Sequence, residues 1–84
     1  MALVQLYSKD DCHLCDVAHD LLVEIQKQVP FALQMITLHE GHERYEEFKE
    51  RFPVVFIDGT FAFQYRIPEK AFIQRIQQAV KTSA

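Results

Sequence analysis

The sequence predicts an α/β domain in which a four-stranded mixed sheet is flanked by three helices, in the order β-α-β-α-β-β-α. Short apolar runs alternate with segments whose apolar residues recur every three or four positions, as strands and helices require. Asp58-Gly59 separates the last two apolar runs and is a strong signal for a tight hairpin. The hairpin is antiparallel, whereas the helix between the first two strands makes them parallel with a right-handed crossover, so the sheet is mixed.

The first strand and the first helix lie within residues 3–28. The apolar run 3–7 is followed by the polar residues 8–11, which predicts a strand and then a turn. From about residue 13 to residue 28 the apolar positions share one helical face, and Pro30 follows the segment. The residues on this face, all expected to be buried, are Leu14, Val17, Ala18, Leu21, Leu22, Ile25 and Val29.

The second strand and the second helix follow. Residues 31–38 are mostly apolar and partly β-branched, and this length predicts a buried strand rather than a helix. Gly41 interrupts the chain, and a short helix then ends at Pro53, because the residue before a proline is disfavoured in helical conformation. Its buried face is marked by three aromatic residues, Tyr45, Phe48 and Phe52.

The hairpin and a third helix complete the domain. Residues 54–57 and 60–65 are its two strands, and the Asp-Gly pair between them accepts the positive φ angles of a type I′ turn. Phe61 and Phe63 fall on the same face of the second strand and are expected in the core. Pro68-Glu69 is typical of a helix start. The buried stripe of this helix is predicted to contain Phe72, Ile76, Ala79 and Val80.

Length, composition and charge restrict the class of protein. Eighty-four residues predict a single domain, 1–84, and ten Phe and Tyr residues with a hydrophobic fraction of 49% exclude a disordered chain. The net charge of −3 argues against a nucleic-acid binder, which needs a basic face. No apolar run approaches the roughly 20 residues that span a bilayer, and the N-terminus has no signal-peptide pattern. We therefore expect a cytoplasmic monomer without membrane or nucleic-acid partners.

Cys12 and Cys15 are the only cysteines. A bond between residues three positions apart closes too small a loop to stabilise the fold, so the pair serves chemistry or a metal. Cys12 falls at the start of the first helix, where unpaired backbone N–H groups and the helix dipole stabilise a thiolate. Cys15 lies one turn later, and its helical neighbours Ala18 and Leu22 indicate that it points inward. We therefore expect Cys12 to attack a disulfide and Cys15 to resolve the mixed disulfide that results.

Charges near Cys12 act in both directions. Lys9, and His13 when protonated, favour the thiolate. The carboxylates that oppose it belong to Asp10, Asp11 and Asp16. We expect a lowered pKa for the Cys12 thiol, but a smaller shift than a wholly basic environment would produce.

Two motifs carry a resemblance to a known family. They are Leu6-Tyr7-Ser8-Lys9-x-x-Cys12-x-x-Cys15 after the first strand, and Phe52-Pro53-Val54-Val55-Phe56-Ile57-Asp58-Gly59. With them, nearly the whole chain resembles the glutaredoxin branch of the thioredoxin-like fold, and more closely its small, poorly characterised glutaredoxin-like members. The resemblance implies a glutaredoxin-like thiol–disulfide oxidoreductase with a redox-active disulfide, acting in electron transport and cell redox homeostasis.

The resemblance also assigns roles to residues around the cysteines. Pro53 matches the cis-proline that lies beside the active-site cysteines in that family. The backbone of Phe52 would then pair with a substrate peptide or with glutathione, and Lys9 matches a lysine that binds a glutathione carboxylate. His13 and Leu14 replace the Pro-Tyr pair of the familiar Cys-Pro-Tyr-Cys motif and are expected to tune the thiolate and the fit of the substrate.

Glutathione recognition is where the chain departs from classical glutaredoxins. These carry Gly-Gly and then Asp after the fourth strand, whereas this chain has Gln-Tyr-Arg-Ile-Pro-Glu at residues 64–69. Arg66 offers an alternative carboxylate contact. The resemblance implies protein or low-molecular-weight disulfides as substrates and no tightly bound cofactor. The candidate electron donors are glutathione and a thioredoxin reductase.

Two other classes of function stay open. The first is a non-catalytic binding or adaptor module on the same fold, which the missing Gly-Gly-Asp motif favours. The second is a metal or iron–sulfur carrier. His39 and His42 would complete a four-ligand zinc set with the two cysteines, although 23 residues separate Cys15 from His39, which is nearly twice the spacing of a zinc finger.

Overall fold

A computed structural model describes residues 2–82, with only the backbone described for 80–82. Residues 1, 83 and 84 of the predicted domain and the side chain of Val80 therefore lie outside the described part. The elements are β1 (Leu3–Lys9), α1 (His13–Gln26), β2 (Ala32–Leu38), α2 (Glu43–Phe48), β3 (Val54–Ile57), β4 (Thr60–Gln64) and α3 (Glu69–Thr82). The predicted fold class and element order are confirmed.

The four strands form one sheet in the order β2-β1-β3-β4. β1 and β2 are parallel, whereas β3 is antiparallel to both β1 and β4. At the hairpin, Asp58 and Gly59 have φ angles of 51° and 82°, as the predicted turn requires. Because β1 is central, its C-terminal end lies between the end of β2 and the start of β3.

Helices cover both faces of the sheet. On the first face, α1 and α3 pack over a core of aliphatic residues and two phenylalanines: Ala2, Val4, Leu6, Ala18, Leu22, Ile25, Phe31, Val55, Ile57, Ile67, Phe72 and Ile76. On the second face, the short helix α2 packs over a smaller cluster made of Tyr7, Cys15, Leu38, Phe48, Phe52 and Val54. We call these the first core and the second core.

Three burial predictions were wrong. β2 is mostly exposed rather than buried, because it lies at the edge of the sheet and pairs with β1 alone. Leu14 and Val17 are each 51% exposed, because the buried stripe of α1 is centred on Cys15, Ala18, Leu22 and Ile25.

The third wrong prediction concerns β4. The β3–β4 register shifts between Val55 and Phe56, so that Phe63 faces Val55 while Phe61 faces Phe56. Phe63 accordingly packs against the first core, whereas Phe61 is 46% exposed and touches Phe56, which packs against the second core. An irregularity of this kind changes which side of the sheet a strand residue faces.

Candidate active site

The turn between β1 and α1 presents Cys12 at the start of the helix. Asp11 has a left-handed backbone, with φ of 56°, and turns the chain away from the sheet. Cys12 is extended and is the N-cap of α1. Its Sγ accepts a hydrogen bond from the Cys15 N–H at 3.2 Å, and its carbonyl accepts one from the Asp16 N–H at 3.2 Å. The sulfur therefore occupies the place that a serine or aspartate oxygen takes in an ordinary helix cap, where the helix N-terminus favours negative charge.

Cys12 and Cys15 form a disulfide across the first turn of α1, with their Cα atoms 5.2 Å apart. Cys15 is 1% exposed and belongs to the second core, whereas Cys12 is half-buried and packs against that core from outside. An incoming sulfur can therefore reach Cys12, while Cys15 is shielded by the protein.

Phe52 and Pro53 lie at the same end of the sheet as the cysteines. The Phe52–Pro53 peptide bond is cis, as the resemblance implies. Val54 pairs with Tyr7, which places the start of β3 beside the end of β1. Phe52 is buried in the second core together with Cys15.

The loop after β4 reaches the same end of the sheet. The Tyr65 N–H donates to the Pro53 carbonyl at 2.9 Å and to the Arg51 carbonyl at 3.3 Å. Tyr65 has a left-handed backbone, with φ of 66°, and its side chain is 47% exposed. Three segments thus meet at this end of the sheet: the β1–α1 turn, residues 51–53 and the loop between β4 and α3.

Lys9, His13 and Leu14 occupy different positions around the disulfide. Lys9 is the last residue of β1 and is half-buried beside Leu38 of β2. His13 is the first residue of α1 and is exposed, as is Leu14 after it. All three lie within three residues of Cys12 in the sequence.

A contact between Asp10 and His39 was not predicted. The His39 Nδ1 and the Asp10 Oδ2 are 2.7 Å apart, with both side chains exposed. The parallel register pairs Lys9 with Leu38, the last residues of β1 and β2, and so brings together the residues that follow them, Asp10 and His39. This contact ties the turn before Cys12 to the end of β2, and a strand register was the signal needed to find it.

The zinc set considered from the sequence is not brought together. Within residues 2–82, no three side chains of His, Cys, Asp or Glu lie close enough to hold a metal ion. His39 instead contacts Asp10, and His42 caps α2 by accepting a hydrogen bond from the Arg44 N–H at 3.0 Å. The two histidines therefore have local structural partners.

A family model settles the relationship of the chain to known proteins. The model of the Glutaredoxin-like domain (DUF836) matches residues 3–80. The chain belongs to this glutaredoxin-like family. With the disulfide described above, membership is consistent with thiol redox activity.

Solved structures share the fold at low sequence identity. Protein Ne2328 from Nitrosomonas europaea is 23% identical, with a TM-score of 0.75 over 88% of this chain and 89% of that one. Glutaredoxin 1 from Francisella tularensis, solved with cacodylate, is 14% identical, with a TM-score of 0.58 over 96% and 99%. A protein of unknown function from Staphylococcus aureus, SA0789, is 14% identical, with a TM-score of 0.65 over 92% and 89%. These likenesses support the glutaredoxin-like, thioredoxin-type fold. Separately, no helix within residues 2–82 is long and apolar enough to cross a membrane.

Proposed function

We propose that the protein is a thiol–disulfide oxidoreductase that carries two electrons on Cys12 and Cys15. The observation that carries the proposal is the asymmetry of the two sulfurs. Cys12 caps α1, with its Sγ 3.2 Å from a backbone N–H donor, whereas Cys15 is almost completely buried. A thiolate at the first position is stabilised and reachable, and the second sulfur can react only with the first.

The reaction consists of two sulfur exchanges. In the first, the Cys12 thiolate attacks one sulfur of the substrate disulfide; a Cys12–substrate bond forms, the substrate bond breaks, and the departing thiolate takes a proton from solvent. In the second, Cys15 loses its proton and attacks the Cys12 Sγ. The Cys12–Cys15 disulfide forms, and the second substrate thiol leaves with a proton. The substrate has then gained two electrons, and the protein is in the disulfide state described here.

Residues near the disulfide can hold the substrate. Within residues 2–82, the described hydrogen bonds leave the backbone N–H and C=O of Phe52 without a partner beside the cis Pro53. An extended substrate segment can pair with these groups, which supports the binding role proposed for Phe52 and Pro53. Lys9 adds positive charge on the approach to Cys12, and His13 adds a second positive charge when it is protonated.

Two electrons from outside return the disulfide to the dithiol. Two glutathione molecules can supply them by the reverse exchange, and a thioredoxin reductase can supply them directly. No tightly bound cofactor is needed, because both electrons reside on sulfur. We propose protein or low-molecular-weight disulfides as substrates, a monomer in the cytoplasm as the working form, and a role in electron transport for redox homeostasis.

Single-cysteine variants test the proposal. We expect Cys12→Ser to abolish disulfide reduction, because Cys15 is shielded. Cys15→Ser should stop at a stable mixed disulfide on residue 12, visible by mass spectrometry as one substrate thiol per protein. His19→Gln, on the flank of α1, is the control and should reduce disulfides at the wild-type rate. Activity that survives in Cys12→Ser would refute the assignment of the nucleophile, and an inactive wild type would favour the adaptor alternative.

The electron donor is tested on the disulfide form of the wild type. Its rate of reduction by glutathione is compared with its rate of reduction by a thioredoxin reductase. We expect faster reduction by the reductase, because residues 64–69 lack the Gly-Gly-Asp sequence of classical glutaredoxins. The absorption spectrum and metal content of the purified protein test the metal or iron–sulfur alternative in the same preparation.

A further inference from the structure

A groove lies between the first half of α1 and the loop that joins β4 to α3. Its volume is about 320 Å³. It is lined by Leu14, Val17, Ala18, Leu21, Tyr65, Arg66 and Ile67. Among these lining residues the only charged side chain is that of Arg66. The groove is therefore lined by apolar side chains and by one positive charge, that of Arg66.

Two lining residues connect the groove to the segments around the disulfide. Leu14, on one wall, is the residue directly before Cys15. Tyr65, on the opposite wall, is hydrogen-bonded through its N–H to the Pro53 carbonyl at 2.9 Å. Leu14, Val17 and Tyr65 are about half exposed, although most large apolar side chains of the domain are buried. A substrate bonded to Cys12 can therefore extend from the disulfide site towards an apolar surface.

The chemistry of the lining side chains favours one class of ligand. Aliphatic and aromatic side chains stabilise a ligand by removing its apolar surface from water, and they give a charged group nothing to replace its hydration. Glutathione carries two carboxylates and one ammonium group. Arg66 can pair with one carboxylate, and no other lining side chain carries a charge that could pair with the second carboxylate or with the ammonium group. An apolar side chain followed by a single carboxylate satisfies both the walls and the guanidinium.

We propose that this groove binds a cysteine-containing segment of a client protein, in which an apolar residue flanks the cysteine and an acidic residue lies within reach of Arg66. The inference rests on the proposed function and deepens it, since it names protein cysteines rather than glutathione as the preferred substrates. Val17 and Arg66 are then specificity-determining residues that do not touch the reacting sulfurs.

Short peptides provide the probe. Each is acetylated and amidated at its ends and carries one cysteine in a mixed disulfide with 2-nitro-5-thiobenzoate. Its flanking residues are Glu-Leu before and Leu after the cysteine, so that it has a single carboxylate. The Cys12 thiolate of the reduced protein attacks the peptide sulfur and forms a Cys12–peptide disulfide, while the coloured thiobenzoate leaves as a thiolate. Cys15 then displaces the peptide thiol. The release of thiobenzoate gives the rate constant of the first exchange.

Matched probes separate the contributions of the walls and of the charge. Serine replaces leucine in one peptide, lysine replaces glutamate in another, and the fourth probe is the same mixed disulfide of glutathione. We expect the Glu-Leu peptide to react roughly tenfold faster than its serine counterpart, the discrimination that a small apolar pocket provides. We also expect it to react faster than the lysine peptide and the glutathione probe.

Protein variants assign these preferences to the groove. Val17→Ser should bring the leucine-to-serine rate ratio towards one, and Arg66→Glu should reverse the preference between the glutamate and lysine peptides. Met35→Ser and Arg75→Glu make the same chemical changes on β2 and α3, away from the lining residues, and should preserve both ratios. Circular dichroism checks that each variant is folded.

The failure of this inference differs from the failure of the proposed function. Equal rates for all four probes, or the fastest rate for the glutathione probe, would overturn the client-protein inference while leaving the exchange chemistry in place. Rates no faster than those of a free small dithiol, for every probe, would overturn both. Ratios that change as much in Met35→Ser and Arg75→Glu as in the groove variants would show that the groove is not the determinant.

Discussion

The two faces of the sheet differ in how they are packed. On the first face, two helices of 14 residues each cover a core of mainly aliphatic residues, none of which is more than 8% exposed. On the second face, a helix of six residues covers a smaller core built mainly from aromatic rings and Cys15. The disulfide belongs to the second, thinner face. The comparison indicates that the first core contributes more to the stability of the fold, whereas the second core surrounds Cys15.

Ring contacts replace helix packing on the second face. The Tyr7 ring lies 5.4 Å from that of Phe48 and 5.5 Å from that of Phe56, between centroids. The guanidinium of Arg44 lies over the same rings, 5.4 Å from the centroid of Tyr7, and donates a hydrogen bond to the Tyr7 hydroxyl at 2.8 Å. Tilted rings and a stacked guanidinium give the second core a defined geometry although it buries fewer residues.

The largest expected effect is on the first core. Phe72 is fully buried and contacts the rings of Phe31 and Phe63, so Phe72→Ala should lower the free energy of unfolding by about 3–5 kcal/mol. Denaturant unfolding measures this loss. Phe61→Ala, which removes a half-exposed ring on the other face, is the control and should cost about 1 kcal/mol or less. Equal losses from the two variants would contradict the division of roles between the faces.

A smaller effect is expected at Arg44. Arg44→Met keeps an apolar stem over the rings but removes the guanidinium stacking and the hydrogen bond to Tyr7, which should cost about 1 kcal/mol of unfolding free energy. The same denaturant titration detects it. Lys70→Met removes a positive charge from exposed α3 surface and should leave stability nearly unchanged. If the two substitutions have the same effect, the stacked guanidinium adds nothing to the second core.

The charge at Asp11 should alter reactivity rather than stability. Asp11→Asn removes a carboxylate next to Cys12 while keeping a residue that tolerates a left-handed backbone. We expect the reduced variant to be alkylated at Cys12 roughly two- to fivefold faster than wild type at mildly acidic pH, because exposed charges interact weakly. Iodoacetamide modification followed by mass spectrometry gives the rate. Asp20→Asn, two turns into α1, is the control, and an unchanged rate at Asp11→Asn would show that the carboxylate has no influence on the thiolate.

The smallest effect is expected at His39. Its imidazole contacts the Asp10 carboxylate, so His39→Gln should slow alkylation of Cys12 by less than about twofold, since both partners are exposed. The decisive comparison repeats the His39→Gln substitution in a protein that already carries Asp10→Asn. There, His39→Gln should have no further effect if the histidine acts through Asp10. A slowing of the same size in both backgrounds would mean that His39 acts independently of this contact.

Local signals account for what the sequence could predict. The helical and strand periods, the Asp-Gly turn and the Cys-x-x-Cys pair at a helix start each depend on residues close together in the chain, and the structure confirms these elements. The exposure of β2 depends on the strand order of the sheet, which no local pattern contains. The irregularity that separates Phe61 from Phe63 depends on how β4 pairs with β3.

The parts of the site that were missed are long-range contacts. The Asp10–His39 pair joins residues 29 positions apart, and the Arg44–Tyr7 hydrogen bond joins residues 37 positions apart. Leu14 and Val17 follow the helical spacing of apolar residues as closely as buried residues do, although both are exposed. Only the position of the neighbouring helix and loop decides whether such residues fill a core or line a groove.

At Asp11, the backbone conformation of the turn before Cys12 does not depend on the charge of the side chain. Its left-handed backbone is accessible at low cost to Gly, Asn and Asp, and strained for β-branched residues. Two of those three residues are uncharged. A protein designer can therefore change the electrostatic environment of Cys12 at this position while keeping the backbone that presents it. A selection for faster thiol chemistry should accordingly favour asparagine and glycine at position 11 over every bulkier neutral residue.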